Sequence, residues 1–407
     1  MKLLSAPWVV PVVAPPVREG AVLLDDDGRV VVVGTRADVM AHVPQGTDED
    51  RGQGALLPGL VNAHTHLELS VLSGRVAGGQ GLVAWATNVP REASALGEGQ
   101  RQAAALRAAR AARDSGAAAV GDVGNSLLAI DAIAQAGLQG IFFHEILGSR
   151  EARTGDALAD AAAERKSMTS ASPWSDRLGY TLAPHAPYSA SPELLSRIFA
   201  AAARTPHPTS IHLAEDPDEL ALLKDGTGRW APILEAMGVP AGSRTPRLGP
   251  VAYLASLGAF TGPSPPLLVH MVHADAGDRA LARRHGATVV LCGRSNLHIG
   301  GRLPDLHALL ADGLALAIGT DSLASAPDLS LWGEVAVLAA HAPDLSPEIW
   351  LRAATAGGAA ALGLEALGAL APGKRPGVLD VALGDLDAPL PSLVRTPNPR
   401  LRWMASA

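Results

Sequence analysis

Between about residues 56 and 365, short apolar runs of strand type alternate with Ala/Arg/Leu stretches of helical period, and few folds accept that alternation. The strand candidates are 56–62, 117–122, 140–146, 178–183, 209–213, 267–272, 287–291 and 314–318. Helical partners include 99–115 and 191–204. Eight strands with intervening helices over roughly 300 residues predict an α/β fold, a parallel (β/α)8 TIM barrel in preference to a doubly wound sheet. No glycine-rich nucleotide fingerprint follows the first strand, which lowers the open-sheet alternative further.

The two ends of the chain have a different texture. Residues 1–55 carry short β runs at 8–13, 21–24 and 30–33, and Asp25-Asp26-Asp27-Gly28 between two of them is a hairpin signal. From Ala371-Pro372-Gly373 onward, turn and strand patterns return. The economical arrangement is one small β domain built from 1–55 and 371–407, flanking a barrel of 56–370.

Composition excludes several functions. Apolar residues reach 48%, yet much of that is alanine, and the runs break well before the roughly 20 residues a membrane span needs. The prolines from Pro7 onward come too early for a secretory core. A net charge of -7 and 3% aromatics leave no surface for nucleic acid. A lone cysteine, Cys292, excludes an internal disulfide, fits a cytoplasmic protein and cannot supply the Pro-Cys-x-x-Cys of cytidine-type zinc deaminases. Neither a membrane nor a nucleic-acid partner is expected.

The site candidates follow from the barrel, whose active sites form at the C-terminal ends of the strands. There stand His64 and His66 after the first strand, His185 after the fourth, His212 with Glu215 at the fifth, His270 and His273 at the sixth, and Asp321 after the eighth. Residues two apart on a strand share a face, so His64 and His66 form half of a divalent-metal site. Tyr188, Ser189, Trp85 and Glu68 are pocket candidates. His144-Glu145 reads as hydrogen bonding within the rim. His42, His207, His285, His307 and His341 sit in loops or on helix surfaces, while His298 is a weaker candidate for the pocket lining.

Segments 58–68 (Pro-Gly-Leu-Val-Asn-Ala-His-Thr-His-Leu-Glu), 185–189 (His-Ala-Pro-Tyr-Ser), 212–215 (His-Leu-Ala-Glu), 269–273 (Val-His-Met-Val-His), 294–297 (Arg-Ser-Asn-Leu) and 319–322 (Gly-Thr-Asp-Ser) resemble, in order, the amidohydrolase superfamily. The resemblance is to its cytosine deaminase-like, chlorohydrolase and S-adenosylhomocysteine deaminase branch. The flanking β segments resemble the composite β-sandwich domain of such enzymes. One departure is Gly293, where relatives commonly carry proline; only a local backbone effect is expected.

The resemblance implies that His64, His66, His212 and Asp321 hold one divalent metal ion, Zn or Fe, a donor set that also suits either ion on chemical grounds. Two-metal members use a carboxylated lysine or a glutamate at the fourth strand. Lys166 is the only lysine between residues 70 and 212 and lies in a polar stretch, which favours a mononuclear centre. Glu215 is then the proton shuttle to a ring nitrogen, Asp321 the second proton carrier, His270 (or His273) the stabiliser of the developing oxyanion, and His185 a substrate contact. The implied activity is hydrolytic deamination of an aminopurine-type heterocycle, with segments 64–70 and 212–215 similar to aminodeoxyfutalosine deaminases. The alternatives are a triazine, chloro- or cyclic-amide hydrolase of the same superfamily, or an inactive scaffold. A homodimer is the assembly the resemblance implies.

Overall fold

The computed structural model describes residues 1–171 and 177–407. Two four-stranded parallel sheets carry the middle of the chain. The first orders β6 (Leu60–Thr65), β7 (Ala117–Gly124), β8 (Gln139–Ile146) and β9 (Leu178–Pro184). The second orders β10 (Ser210–Leu213), β11 (Leu267–His270), β12 (Thr288–Leu291) and β13 (Ala315–Ile318). Most of their residues are buried, as expected of parallel strands covered by helices on crossover connections. The expected helices form at Glu98–Asp114 and Pro192–Ala202, the second capped by Ser191 accepting from the Leu194 N–H at 3.0 Å.

Hydrogen bonds cross between the sheets at both seams. Thr65 and Asp321 form a parallel bridge, and the N–H groups of Thr320 and Asp321 donate to the His64 carbonyl at 2.9 and 3.1 Å. On the other side, the His212 N–H donates to the His185 carbonyl at 3.0 Å. One hydrophobic cluster joins Val61, Phe143 and Ala183 of the first sheet with Val269, Val290 and Ala317 of the second.

The chain ends build a separate mixed sheet of seven strands: β1 (Lys2–Val9), β2 (Val17–Leu24), β3 (Val30–Thr35), β4 (Glu49–Arg51), β5 (Ala55–Pro58), β14 (Val378–Val381) and β15 (Leu401–Ala405). β5 runs parallel to β1 and antiparallel to β14, which ties the two termini together. The expected hairpin joins β2 to β3: the Asp25 carboxylate accepts from the N–H groups of Asp27 and Arg29 at 3.0 and 2.8 Å, and Gly28 takes φ 79°.

The run expected as a single strand at 56–62 is two strands in different sheets. The break falls at Gly59, where a Cβ would lie 2.7 Å from Ala118 Cβ and 2.8 Å from Trp403 Cη2, so only glycine fits. The expected strand at 267–272 stops at His270, because His270 and Met271 adopt φ of 77° and 52°, which leaves the ladder. Among the described residues, no helix is long and apolar enough to cross a membrane.

Candidate metal centre and active site

The C-terminal ends of the parallel strands deliver the chemistry to one rim. Between Asn62 and Thr65 the β6–β7 register slips, a bulge that re-aims the side chains on either side of it. His64 is fully buried, and neither of its ring nitrogens has a hydrogen-bond partner. Its ring centroid stands 4.9 Å from those of both His66 and His212. The Nε2 atoms of His66 and His212 are 3.2 Å apart. Asp321 Oδ1 is 3.9 Å from His64 Nε2 and 3.6 Å from His66 Nε2.

These separations test the fit of a cation. Donors placed 2.0–2.1 Å from a tetrahedral ion stand about 3.3–3.4 Å apart. The observed spacings bracket that value, and a buried imidazole with both nitrogens unpartnered is costly without a ligand. The neighbouring groups also leave the needed lone pairs free. His212 Nδ1 bonds the His185 carbonyl at 2.9 Å, so its Nε2 is the bare nitrogen. Ser295 Oγ donates to Asp321 Oδ2, as does Ser325 Oγ at 3.0 Å, leaving Oδ1 toward the histidines.

Burial, then repulsion by neighbouring histidines, holds His64 well below the usual imidazole range. Burial likewise lowers His66 to about 4, opposed by Asp321, and His270 to about 3. The rings are therefore neutral near pH 7, as ligands must be. Glu215 lies just past β10, its Oε2 3.6 Å from His270 Nε2. Burial, reinforced by Asp321, pushes its carboxyl well above the ordinary value. The Glu219 carboxylate braces this turn by accepting from the Ala214 and Glu215 N–H groups at 3.0 and 3.2 Å. Left-handed φ values at Ala214 (51°), His270 (77°), Met271 (52°) and Asp321 (56°) place backbone strain at this rim.

A cavity of about 210 Å³ opens over the cluster. His66, His212, Glu215, His270 and Asp321 form its floor, while His185, Tyr188, Ser189 and Trp85 stand in its walls. His185 Nδ1 is 2.6 Å from Ser189 Oγ. The structure does not bring Glu68 into the lining: its oxygens accept from the N–H of Asn125 at 2.7 Å and from Ser126 Oγ at 2.7 Å, behind the wall. His273 is half-buried and outside the lining, whereas His270 is within it. His144 pairs with Tyr180 Oη at 2.8 Å, away from the cavity.

Besides several aliphatic residues, the lining includes Asn125, Glu145 and Trp230, which the sequence did not place in the pocket. Glu145, assigned to the rim, faces the cavity; Asn125 Nδ2 donates to its Oε2 at 2.9 Å, and burial followed by Glu68 pushes it up to about 8. With His185 and His212 it forms a second set of donor atoms lying within 4.8 Å of one another. Its place at the C-terminal end of β8 was the available signal. Trp230 stacks on Tyr188 with centroids 4.0 Å apart, and nothing in its helical run distinguishes it from core. A larger hollow of about 640 Å³ beside Glu98–Asp114 holds none of the clustered histidines.

Parallel sheets whose strand ends gather histidines and one aspartate define a metal-dependent hydrolase fold, and residues 55–398 match the amidohydrolase family; the chain belongs to that family. It is 32% identical over 357 residues to the aminodeoxyfutalosine deaminase of Deinococcus radiodurans, covering 83% of this chain and 81% of that one. Its fold matches the crystal structure of Helicobacter pylori aminofutalosine deaminase in complex with methylthio-coformycin at a TM-score of 0.85, with 22% identity over 100% and 99% of the two chains. A Xanthomonas campestris adenosine deaminase with bound zinc superposes at a TM-score of 0.76, with 25% identity and coverage of 98% and 90%.

Proposed function

We propose that this chain is a mononuclear metal-dependent deaminase of aminopurine-type nucleosides, with aminodeoxyfutalosine the leading candidate. The observation that carries this reading is the convergence of three bare imidazole nitrogens and one free carboxylate oxygen beside the buried Glu215. His64, His66, His212 and Asp321 would hold one zinc or iron ion. When bound, such an ion supplies Lewis acidity that brings the pKa of water near 7.

The side chains account for the rest. Glu215, whose carboxyl burial pushes up from its ordinary value, donates to the ring nitrogen beside the amine-bearing carbon. His270 presents its Nε2 side to the oxygen that gains charge. The Asp321 carboxylate takes one proton from the attacking water and returns it to the departing amine, while the remaining hydroxyl proton goes back to Glu215, so water and amine become carbonyl and ammonia. Tyr188, stacked on Trp230, and Trp85 supply flat apolar walls for a heterocycle, and His185 a polar contact.

The two parallel sheets are read as halves of one closed (β/α)8 barrel over 56–370, supported by the hydrogen bonds at both seams. The terminal sheet is read as the small sandwich domain of 1–55 and 371–407. Its strands share one core, including Leu4, Val22, Leu56 and Val378, which supports that reading.

The test is metal analysis of the purified protein together with ammonia release from aminodeoxyfutalosine, 5′-methylthioadenosine, S-adenosylhomocysteine and guanine. One metal per chain and turnover of a nucleoside are expected. A metal-replete protein that releases ammonia from none of them would overturn the reading.

A further inference from the structure

Directly after β12, the helix Gly293–Gly300 opens with Arg294, Ser295 and Asn296, and these three consecutive residues do different work. Arg294 is anchored on every side. Its Nε donates to Glu334 Oε1 at 2.7 Å and its backbone N–H to Glu334 Oε2 at 3.0 Å. Nη1 reaches Asp328 Oδ1 at 2.7 Å, and Nη2 reaches the carbonyls of Asp328 and Ser330 at 3.0 and 2.9 Å. Glu334 is fully buried, so this ion pair is an expensive feature, and isolated charges there would be far costlier. Gly293 leaves this turn intact: the helix begins there and the Arg294 anchor is complete.

The clamp fixes a turn whose next two side chains reach two different site residues. Ser295 Oγ bonds Asp321 Oδ2, and Asn296 Nδ2 lies 2.9 Å from His270 Nδ1. Both residues are buried, so water does not compete for these contacts. An amide NH2 only donates. In the orientation the amide takes here, with its NH2 toward the ring and its Oδ1 buried without a partner, His270 Nδ1 accepts and the single proton of the neutral ring falls on Nε2, the nitrogen facing Glu215 and the cavity.

We propose that Asn296 is a positioning residue that locks His270 in its Nε2–H tautomer, with the Arg294–Glu334 clamp holding Asn296 in place. The inference rests on the site reading above. With the other tautomer, His270 would turn a lone pair toward the reacting oxygen and repel the charge developing there. Asn296 is not in the cavity lining and acts through His270.

The experiment uses the zinc-loaded full chain and long-range 1H–15N spectra of its imidazoles, with His270 assigned by comparison with His270→Gln. The wild type is expected to show a bare Nδ1 and a protonated Nε2. In Asn296→Asp the new carboxylate accepts from Nδ1–H, so the proton pattern reverses. With the best nucleoside substrate, kcat should then fall by about 10²-fold or more while KM and zinc content stay near wild type. A wild-type His270 protonated on Nδ1 overturns the proposal even if no tested nucleoside is a substrate, which separates its failure from that of the functional reading. An Asn296→Asp enzyme with unchanged kcat also overturns it. Should that variant not fold, the wild-type spectrum alone decides.

Discussion

Replacing Glu215 by glutamine isolates the proton-transfer role from everything else the residue does. The amide keeps the volume and the backbone of the strained turn at Ala214, which is braced by Glu219 rather than by the Glu215 side chain. Glu215 is not among the clustered donors His64, His66 and His212, so bound metal should remain near one per chain. What disappears is the transferable proton, a contribution of roughly 10²–10⁴-fold. At 1.36 kcal/mol per tenfold, that is about 2.7–5.4 kcal/mol of barrier. Stability moves the other way. Burial beside Asp321 raises the carboxyl pKa, so above the unfolded value the folded state resists an ionisation that the unfolded chain accepts. Glutamine removes that opposition, and the variant should be at least as resistant to urea at pH 7 as the wild type. Ammonia-release kinetics, metal analysis and urea titration read the three quantities. A variant that keeps its metal and turns over at the wild-type rate would refute the assignment of proton transfer to Glu215.

Alanine at His212 or Asp321 should strip the metal far below one per chain by elemental analysis, and full retention in both variants contradicts the ligand set. Ser325→Ala removes a donor that orients Asp321, and chelator competition should show metal affinity about 10–100-fold weaker. Trp230→Ala deletes the partner stacked on Tyr188 and should cost about 3–5 kcal/mol in urea unfolding; a loss below 1 kcal/mol would mean the stack is not packed. In metal-free protein, His66 (about 4) and His270 (about 3) stay unprotonated while the unfolded chain takes up protons near 6.5. Stability should therefore fall as pH drops from about 6.5 toward 4, by up to about 1.36 kcal/mol per unit for each group, and urea midpoints that do not change across this window would contradict the burial of these rings.

The strand runs were legible because a residue buried on both faces must be apolar wherever it pairs. The ligand-type residues were legible because His64, His66, His212 and Asp321 stand where such strands end. Glu68 shows the limit: spacing put it near the site, but the 3-10 turn Leu67–Leu72 directs its carboxylate to the N–H groups of Asn125 and Ser126. Trp230 carried no local mark at all, and Asn125 only its place directly after β7. Each becomes part of the wall only because distant elements pack beside it.

Residue identity and period alone therefore determined the alternating α/β plan and the kind of donor offered at each strand end, since both are local properties of the chain. Tertiary structure decided which donors meet. Thr65 and Asp321 bond across 256 positions of sequence, and Asn296 meets His270 only because β11 and β12 lie side by side. Such distances depend on register, bulges and the hydrogen bonds between the two sheets, which no stretch of sequence encodes by itself.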